Sequence, residues 1–356
     1  MSDHYVKILD TCFNVEYFLN QMCFKSSVCT PARHVFRTLR IMKMKHYILI
    51  ITLSFSYNLF ALTLGQSLNL IQQEILKNSS EISAPERNLK LYYQGHFAKC
   101  SVVITHGLFQ SPFDMQGLAN LFYQQGCNVI SGLLPGHWRK DSKAFYKINE
   151  QNWVEAHQQW LNFAKPLGKN LIVVGHSLGG LLSFRAALLN PDFIQAALYL
   201  SPALELNPLM RSKIFLGDFL NVDLDQYSKN LDPFYKTAKP ARAGTYVVNL
   251  ILDSFSLVNS KKIFNRDITY QSYKVPSLII STEDDDVISD SEVKNFYSYI
   301  NADKNSIFYV KDLGVFHDNI QRSKIDLLEK DPDMWRNPYF SEQAEKITQF
   351  LLPYLK

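Results

Sequence analysis

Ser177 stands in Gly175-His176-Ser177-Leu178-Gly179-Gly180, directly behind the aliphatic run Leu171-Ile172-Val173-Val174. That run reads as a buried strand, and the apolar stretch at 181–189, ended by Asn190-Pro191, reads as a buried helix. Between them the spacing is G-x-S-x-G, a sharp strand-to-helix turn in which glycines at 175 and 179 let backbone approach backbone. Such a turn lifts the serine hydroxyl above the sheet and aims the first N–H groups of the helix at whatever the hydroxyl attacks. The same letters would serve a glycine-rich turn whose serine only caps the helix; the strand before and the helix behind favour a nucleophile. A serine hydroxyl attacks poorly until a histidine takes its proton and a carboxylate orients that histidine.

The second half of the chain offers both partners. A strand-like run at 275–281 leads into Thr282-Glu283-Asp284-Asp285-Asp286-Val287-Ile288. A helix is expected near 291–300, then a strand at 306–310, and beyond it Gly314-Val315-Phe316-His317-Asp318. His317 is the only histidine after Ser177. Most residues of an acidic run are solvated, so at most one of the four carboxylates orients the base. Asp285, two residues before the apolar pair Val287-Ile288, is the preferred acid. Asp284 and Asp286 stay open as alternatives, with Glu283 the weakest.

Thr105-His106-Gly107, Leu134-Pro135-Gly136-His137, the Ser177 turn, the Asp285 loop and His317 together resemble the α/β-hydrolase superfamily. Within it the likeness is to the bacterial carboxylesterase, monoacylglycerol lipase and lysophospholipase branch. The resemblance covers about residues 89–355, apart from the stretch near 205–270. It implies the triad order serine, acid, histidine, hence Ser177 as nucleophile, Asp285 as orienting acid and His317 as base. It also implies that the backbone N–H groups of Leu108 and Leu178 form the oxyanion hole, while His106 and His176 are structural. Two departures bear on the site. Ser281-Thr282-Glu283 stands where the branch usually has a glycine, which blurs the register of the acid, and Trp138, in place of a small residue, would narrow the pocket mouth.

Strands are expected at 89–93, 100–105, 129–133, 171–175, 196–200, 276–281 and 306–310, after a polar join at 77–87. Helices are expected near 115–125, 151–164, 178–189, 291–300 and 341–355. This alternation predicts an α/β protein with a mostly parallel central sheet covered by helices on both faces. The gap at about 205–270 is too long for a plain connection and carries apolar groups at helical intervals. It reads as a helical cap inserted after the strand at 196–200, the sixth in the superfamily's count.

The formal charge of +4 sits wholly in residues 1–46, with seven Lys/Arg against three acids; the remaining residues balance at 30 against 30. No nucleic-acid partner follows from such a distribution. The basic segment leads into an apolar run at 47–61 that is broken by Ser54, Ser56 and Asn58 and falls short of the ~20 apolar residues of a spanning helix. Residues 42–61 read as a signal peptide ending near Ala61, with 1–41 as an over-long start or leader and 78–356 as the hydrolase domain. The expected location is periplasmic or secreted; the alternative is an inner-membrane signal anchor facing outward. Cys100 and Cys127 open strands that the superfamily fold makes neighbours, so a disulfide and two buried thiols are both open. No cofactor or metal is implied: there is no zinc-like Cys/His spacing, glycine-rich phosphate loop or EF-hand pattern.

The reading is an exported serine hydrolase of carboxylic esters, lipid-like acyl esters of monoacylglycerol or lysophospholipid type, acting through an acyl-enzyme on Ser177. Its expected partners are a small acyl ester and membrane lipid. The rivals are a proline-type aminopeptidase or amidase on the same triad, with Asp218, Asp223 or Asp225 holding the amino terminus, and a non-catalytic binding module on the hydrolase fold.

Overall fold

The structure is a computed structural model that describes residues 62–222, 240–256, 273–300, 307–310, 315–323 and 336–355. Its strands are β1 (Lys90–Tyr92), β2 (Ala98–Thr105), β3 (Asn128–Gly132), β4 (Gly168–His176), β5 (Ile194–Leu200), β6 (Ser277–Ser281) and β7 (Ile307–Val310). They form one sheet in the order β1-β3-β2-β4-β5-β6-β7, antiparallel only between β1 and β3. Side chains alternate across it as the two-residue period of a strand demands. Val103, Ile130, Val173, Ala197 and Ile279 pack on one face, while Val102, Ile104, Ile172, Val174, Leu198 and Ile280 pack on the other. Because both faces are covered, the central strands are aliphatic throughout rather than alternating.

Eight helices are described: α1 (Leu64–Glu81), α2 (Gln116–Gln124), α3 (Glu150–Ala164), α4 (Leu178–Leu189), α5 (Pro208–Phe219), α6 (Ala241–Ser256), α7 (Asp290–Ile300) and α8 (Phe340–Leu351). The α/β-hydrolase architecture expected from the sequence is the one observed. From β2 the chain moves outward to β3, then crosses back over β2 to β4, so the direction of winding reverses between β2 and β4. Ligand sites of open sheets lie at the strand carboxyl ends beside such a reversal. Thr105 at the end of β2 pairs with Gly175 near the end of β4, which sets Gly107 and Ser177 at that point.

Four details refine or correct the sequence reading. The residues read as a polar join begin within α1, which starts at a Thr63 capping box with Gln66 and buries Ile71. Its amphipathic pattern is masked in the sequence by polar residues such as Ser67 and Glu74. These are consumed in tertiary contacts, with Ser67 Oγ donating to Phe163 O and Trp160 Nε1 donating to Glu74 Oε1. The strand before the cap is the fifth described here, one fewer than in the superfamily's count. Of the cap, α5 and α6 are described and pack on each other; residues 223–239 and 257–272 lie outside the described set, as do the leader and the segment at 47–61. Finally, Cys100 and Cys127 are joined as a fully buried disulfide, which decides between the two alternatives.

Candidate active site

The nucleophile turn is strained as its sequence requires. Ser177 has φ +50 and ψ −117, outside the common regions for an L-residue, and sits between β4 and the first residue of α4. The strain is held from several sides: Ser177 N–H donates to Leu200 O, and its carbonyl accepts from Ala203 N–H. Gly179 is obligatory, because a Cβ there would lie 2.0 Å from Thr105 O.

Ser177 Oγ lies 2.9 Å from His317 Nε2, and His317 Nδ1 lies 2.9 Å from Asp285 Oδ2. The other carboxylate oxygen accepts from Val287 N–H at 3.0 Å and Ile288 N–H at 2.8 Å. Residues from three separate parts of the chain are thus brought into one hydrogen-bonded line. Asp285 is buried, whereas Glu283, Asp284 and Asp286 are exposed, so the register ambiguity of the acidic run is resolved by burial. For Asp285, burial pushes the carboxyl up, but the His317 ring and the two backbone donors outweigh it and leave it below the usual carboxylate range. For His317, burial pushes down, and the Asp285 charge and hydrogen bond reverse this, leaving the imidazole above its ordinary value. Each group therefore favours the charged form of the other, which is what a proton-accepting histidine needs as it becomes imidazolium.

The loop after β2 lies against the nucleophile: a Cβ built on Gly107 would be 3.1 Å from Ser177 Cβ and 2.8 Å from His176 Nδ1. Leu108 follows in this loop, and Phe109 beyond it also has positive φ, at +65. Leu178 is the first residue of α4, so its N–H has no acceptor within the helix. His106 is structural, as expected. Its Nδ1 donates to Gly107 O and its Nε2 accepts from Leu134 N–H, and burial lowers its pKa to about 4.

Several supporting residues carried no signal in the sequence. Thr282, where a glycine was expected, donates from Oγ1 to Val315 O and so ties the acid loop to the histidine loop. Asp114 joins Arg87 on one side, at 3.3 Å, to Arg322 on the other, at 2.8 Å, and its Oδ2 also accepts from Ser111 of the loop after β2. Burial raises the Asp114 carboxyl, but the two guanidinium groups outweigh it and hold it low. Trp138 corrects an expectation. It is buried, with the Arg87 guanidinium 3.7 Å over its ring; its bulk is spent on anchoring the segment before β1, not on a pocket mouth. Apart from Ser111 with Asp114, these contacts join residues far apart in sequence, which is why spacing does not reveal them.

This fold and this line of Ser177, His317 and Asp285 define a serine hydrolase of the α/β-hydrolase superfamily. The chain belongs to the family described as serine aminopeptidase, S33, whose model matches residues 97–320. Among curated proteins none matches this chain in sequence. Solved structures share the fold at low identity. One, from work on LipS and LipT, two metagenome-derived lipolytic enzymes, is 17% identical with a TM-score of 0.57, covering 75% of this chain and 98% of its own. A monoacylglycerol lipase of Paleococcus ferrophilus is 18% identical with a TM-score of 0.52, covering 75% and 98%. A soluble variant of monoglyceride lipase from Saccharomyces cerevisiae is 13% identical with a TM-score of 0.56, covering 75% and 91%.

Proposed function

We propose that this chain is an exported serine hydrolase that cleaves lipid-like acyl esters through an acyl-enzyme on Ser177. The observation that carries the reading is the Ser177–His317–Asp285 line of hydrogen bonds at a strained turn. Ser177 Oγ attacks the ester carbonyl carbon as its proton passes to His317 Nε2, and Asp285 stabilises the imidazolium. The carbonyl oxygen becomes an oxyanion held by the N–H groups of Leu108 and Leu178; losing one such donor costs about 3 kcal/mol in the barrier. Collapse breaks the C–O bond to the alcohol, which leaves with the proton from His317. Water then attacks the acyl-enzyme by the same steps in reverse order.

Solved relatives of the same fold that bear lipase names support an acyl ester substrate. Leu209, Phe215, Leu216 and Phe219, exposed on α5, support contact with membrane lipid. Export is supported by the buried Cys100–Cys127 disulfide, since such bonds persist in oxidising compartments, together with the basic and apolar order of residues 42–61.

A second reading, cleavage of an amino-terminal proline amide, draws on the family's description. It needs a free carboxylate for the amino terminus. Asp218 is engaged by Arg242 at 3.3 Å and Thr245 at 2.8 Å, and Asp223 and Asp225 lie outside the described residues. The deciding experiment compares acyl esters graded by chain length with prolyl arylamides, using Ser177→Ala as the blank. Turnover rising with acyl length supports the lipid reading; turnover of acetyl esters alone, or of the prolyl amide in preference, sinks it. The N-terminal mass of the exported protein tests cleavage near Ala61.

A further inference from the structure

His176 has no part in the steps above, yet it touches both halves of the site. Its Nδ1 lies 2.7 Å from Gln110 Oε1, in the loop after β2, and its Nε2 lies 2.8 Å from the carbonyl oxygen of His317. The two imidazole rings are 4.9 Å apart. Burial keeps His176 neutral at working pH, and the His317 imidazolium, when it forms, pushes the same way. A neutral imidazole has one ring proton, so it cannot donate to two oxygens.

One arrangement gives both ring nitrogens of His176 a partner. A carbonyl oxygen only accepts, so the proton belongs on Nε2, donating to His317 O. Nδ1 then needs a donor. The Gln110 amide nitrogen is buried with no hydrogen-bond partner among the described residues, and a half-turn of the amide, whose two ends are not distinguished by shape, brings it to Nδ1. The half-turn gives Nδ1 and the amide nitrogen a partner, and in exchange Oε1 loses its contact from Gly107 N–H at 3.1 Å, which then faces the NH2 group.

We propose that His176 is a positioning residue, a neutral strut from the Gln110 side chain to the His317 carbonyl that sets the catalytic histidine against the loop after β2. The assignment rests on the Ser177 hydrolase reading. The histidine loop has other ties, through Thr282 to Val315 O and through Asp114 to Arg322, but among the described residues only His176 grips the backbone of His317 itself. Movement of a reacting group by about 1 Å costs on the order of 100-fold in rate, so the loss expected without the strut is about 10- to 100-fold.

The test is the rate at which a fluorophosphonate labels Ser177 in the full chain, followed against pH, which needs no knowledge of the natural substrate. Glutamine carries an amide nitrogen near the place of Nε2, so His176→Gln is expected to label within about threefold of wild type. Asparagine reaches only toward Nδ1 and leucine offers no donor, so His176→Asn and His176→Leu are expected to lose the full amount. In both, the acid limb is expected to move to lower pH, because a displaced His317 feels less of the Asp285 charge that raises it. Asp286 and Asp318 also act on His317 and are unchanged in every variant. Wild-type rate and limb in His176→Leu overturn the proposal, and so does an equal loss in all three variants with the limb unmoved, which is packing alone. If His176→Leu fails to fold by circular dichroism, Gln110→Leu decides: a loss of fivefold or more supports the strut and an unchanged rate overturns it. Absence of an adduct on folded wild-type protein overturns the hydrolase reading and the strut with it, whereas a normal wild-type adduct with indifferent variants overturns the strut alone.

Discussion

Asp285→Asn tests the triad most sharply, because the structure dictates which way the new amide must face. Asp285 Oδ1 accepts two backbone N–H groups, from Val287 at 3.0 Å and Ile288 at 2.8 Å, while Oδ2 accepts from His317 Nδ1 at 2.9 Å. After substitution the amide oxygen stays on the two backbone donors, since the reverse would set an NH2 group against both of them. The NH2 therefore faces His317 Nδ1, which must turn its lone pair toward it. The ring proton moves to Nε2 and points at Ser177 Oγ, so no base faces the nucleophile. A wrong tautomer of this kind costs on the order of 10⁴ in rate, or about 5 kcal/mol at 1.36 kcal/mol per tenfold. The assay is ester hydrolysis and fluorophosphonate labelling of the folded variant, beside Asp284→Asn and Asp286→Asn, whose side chains are exposed and are expected to stay within about threefold. A loss smaller than about tenfold in Asp285→Asn, or a comparable loss in either neighbour, refutes the reasoning.

Five further outcomes follow from the geometry. Because Asp285 holds His317 above its ordinary value near 6.5 and the neutral ring is the base, kcat/KM is expected to rise through a single limb centred above that pH. The stability that goes with this raised pKa is present in full below about pH 6.5 and is lost as pH rises through the folded value, while that of Asp285, held low, is present above about pH 3.9 and lost on acidification. Urea melts across that range check both, the acid loss shrinking in Asp285→Asn. Gly179→Ala sets a Cβ 2.0 Å from Thr105 O, which is backbone, and is expected to lose more than about 3 kcal/mol or fail to fold, read by thermal melts. Reduction of the Cys100–Cys127 bond, which closes a separation of 27 residues, is expected to cost about 3.5 kcal/mol on the chain-entropy model, measured as a urea midpoint with and without reductant. Asp114→Ala removes one carboxylate shared by Arg87 and Arg322; breaking these buried pairs from one side is expected to cost about 3 kcal/mol, and an unchanged melt would remove the ion pairs from the account.

Local signals carried the Ser177 turn completely: strand, G-x-S-x-G and apolar helix are contiguous, and α4 spans Leu178–Leu189 as the pattern predicts. His317 was legible by elimination and chain order, and the sheet by its aliphatic runs. Asp285 was legible as the preferred member of the acidic run, from its place before Val287-Ile288, with Asp284 and Asp286 left open; its burial depends on those two residues turning their N–H groups back onto it. The helix α1 was not legible because its polar residues Glu74 and Ser67 find their partners 86 and 96 residues away, at Trp160 and Phe163.

By itself, then, the sequence determined those features whose physics is local: which residue is lifted at a tight turn, which runs become buried strands, which histidine remains for the base. What tertiary structure alone decided is how the separate loops are held in register. Thr282 against Val315, Asp114 between Arg87 and Arg322, and His176 between Gln110 and His317 each join positions that no spacing rule connects. Hydrogen bonds and ion pairs depend on distances of about 3 Å in space, and only the folded sheet brings those groups that close.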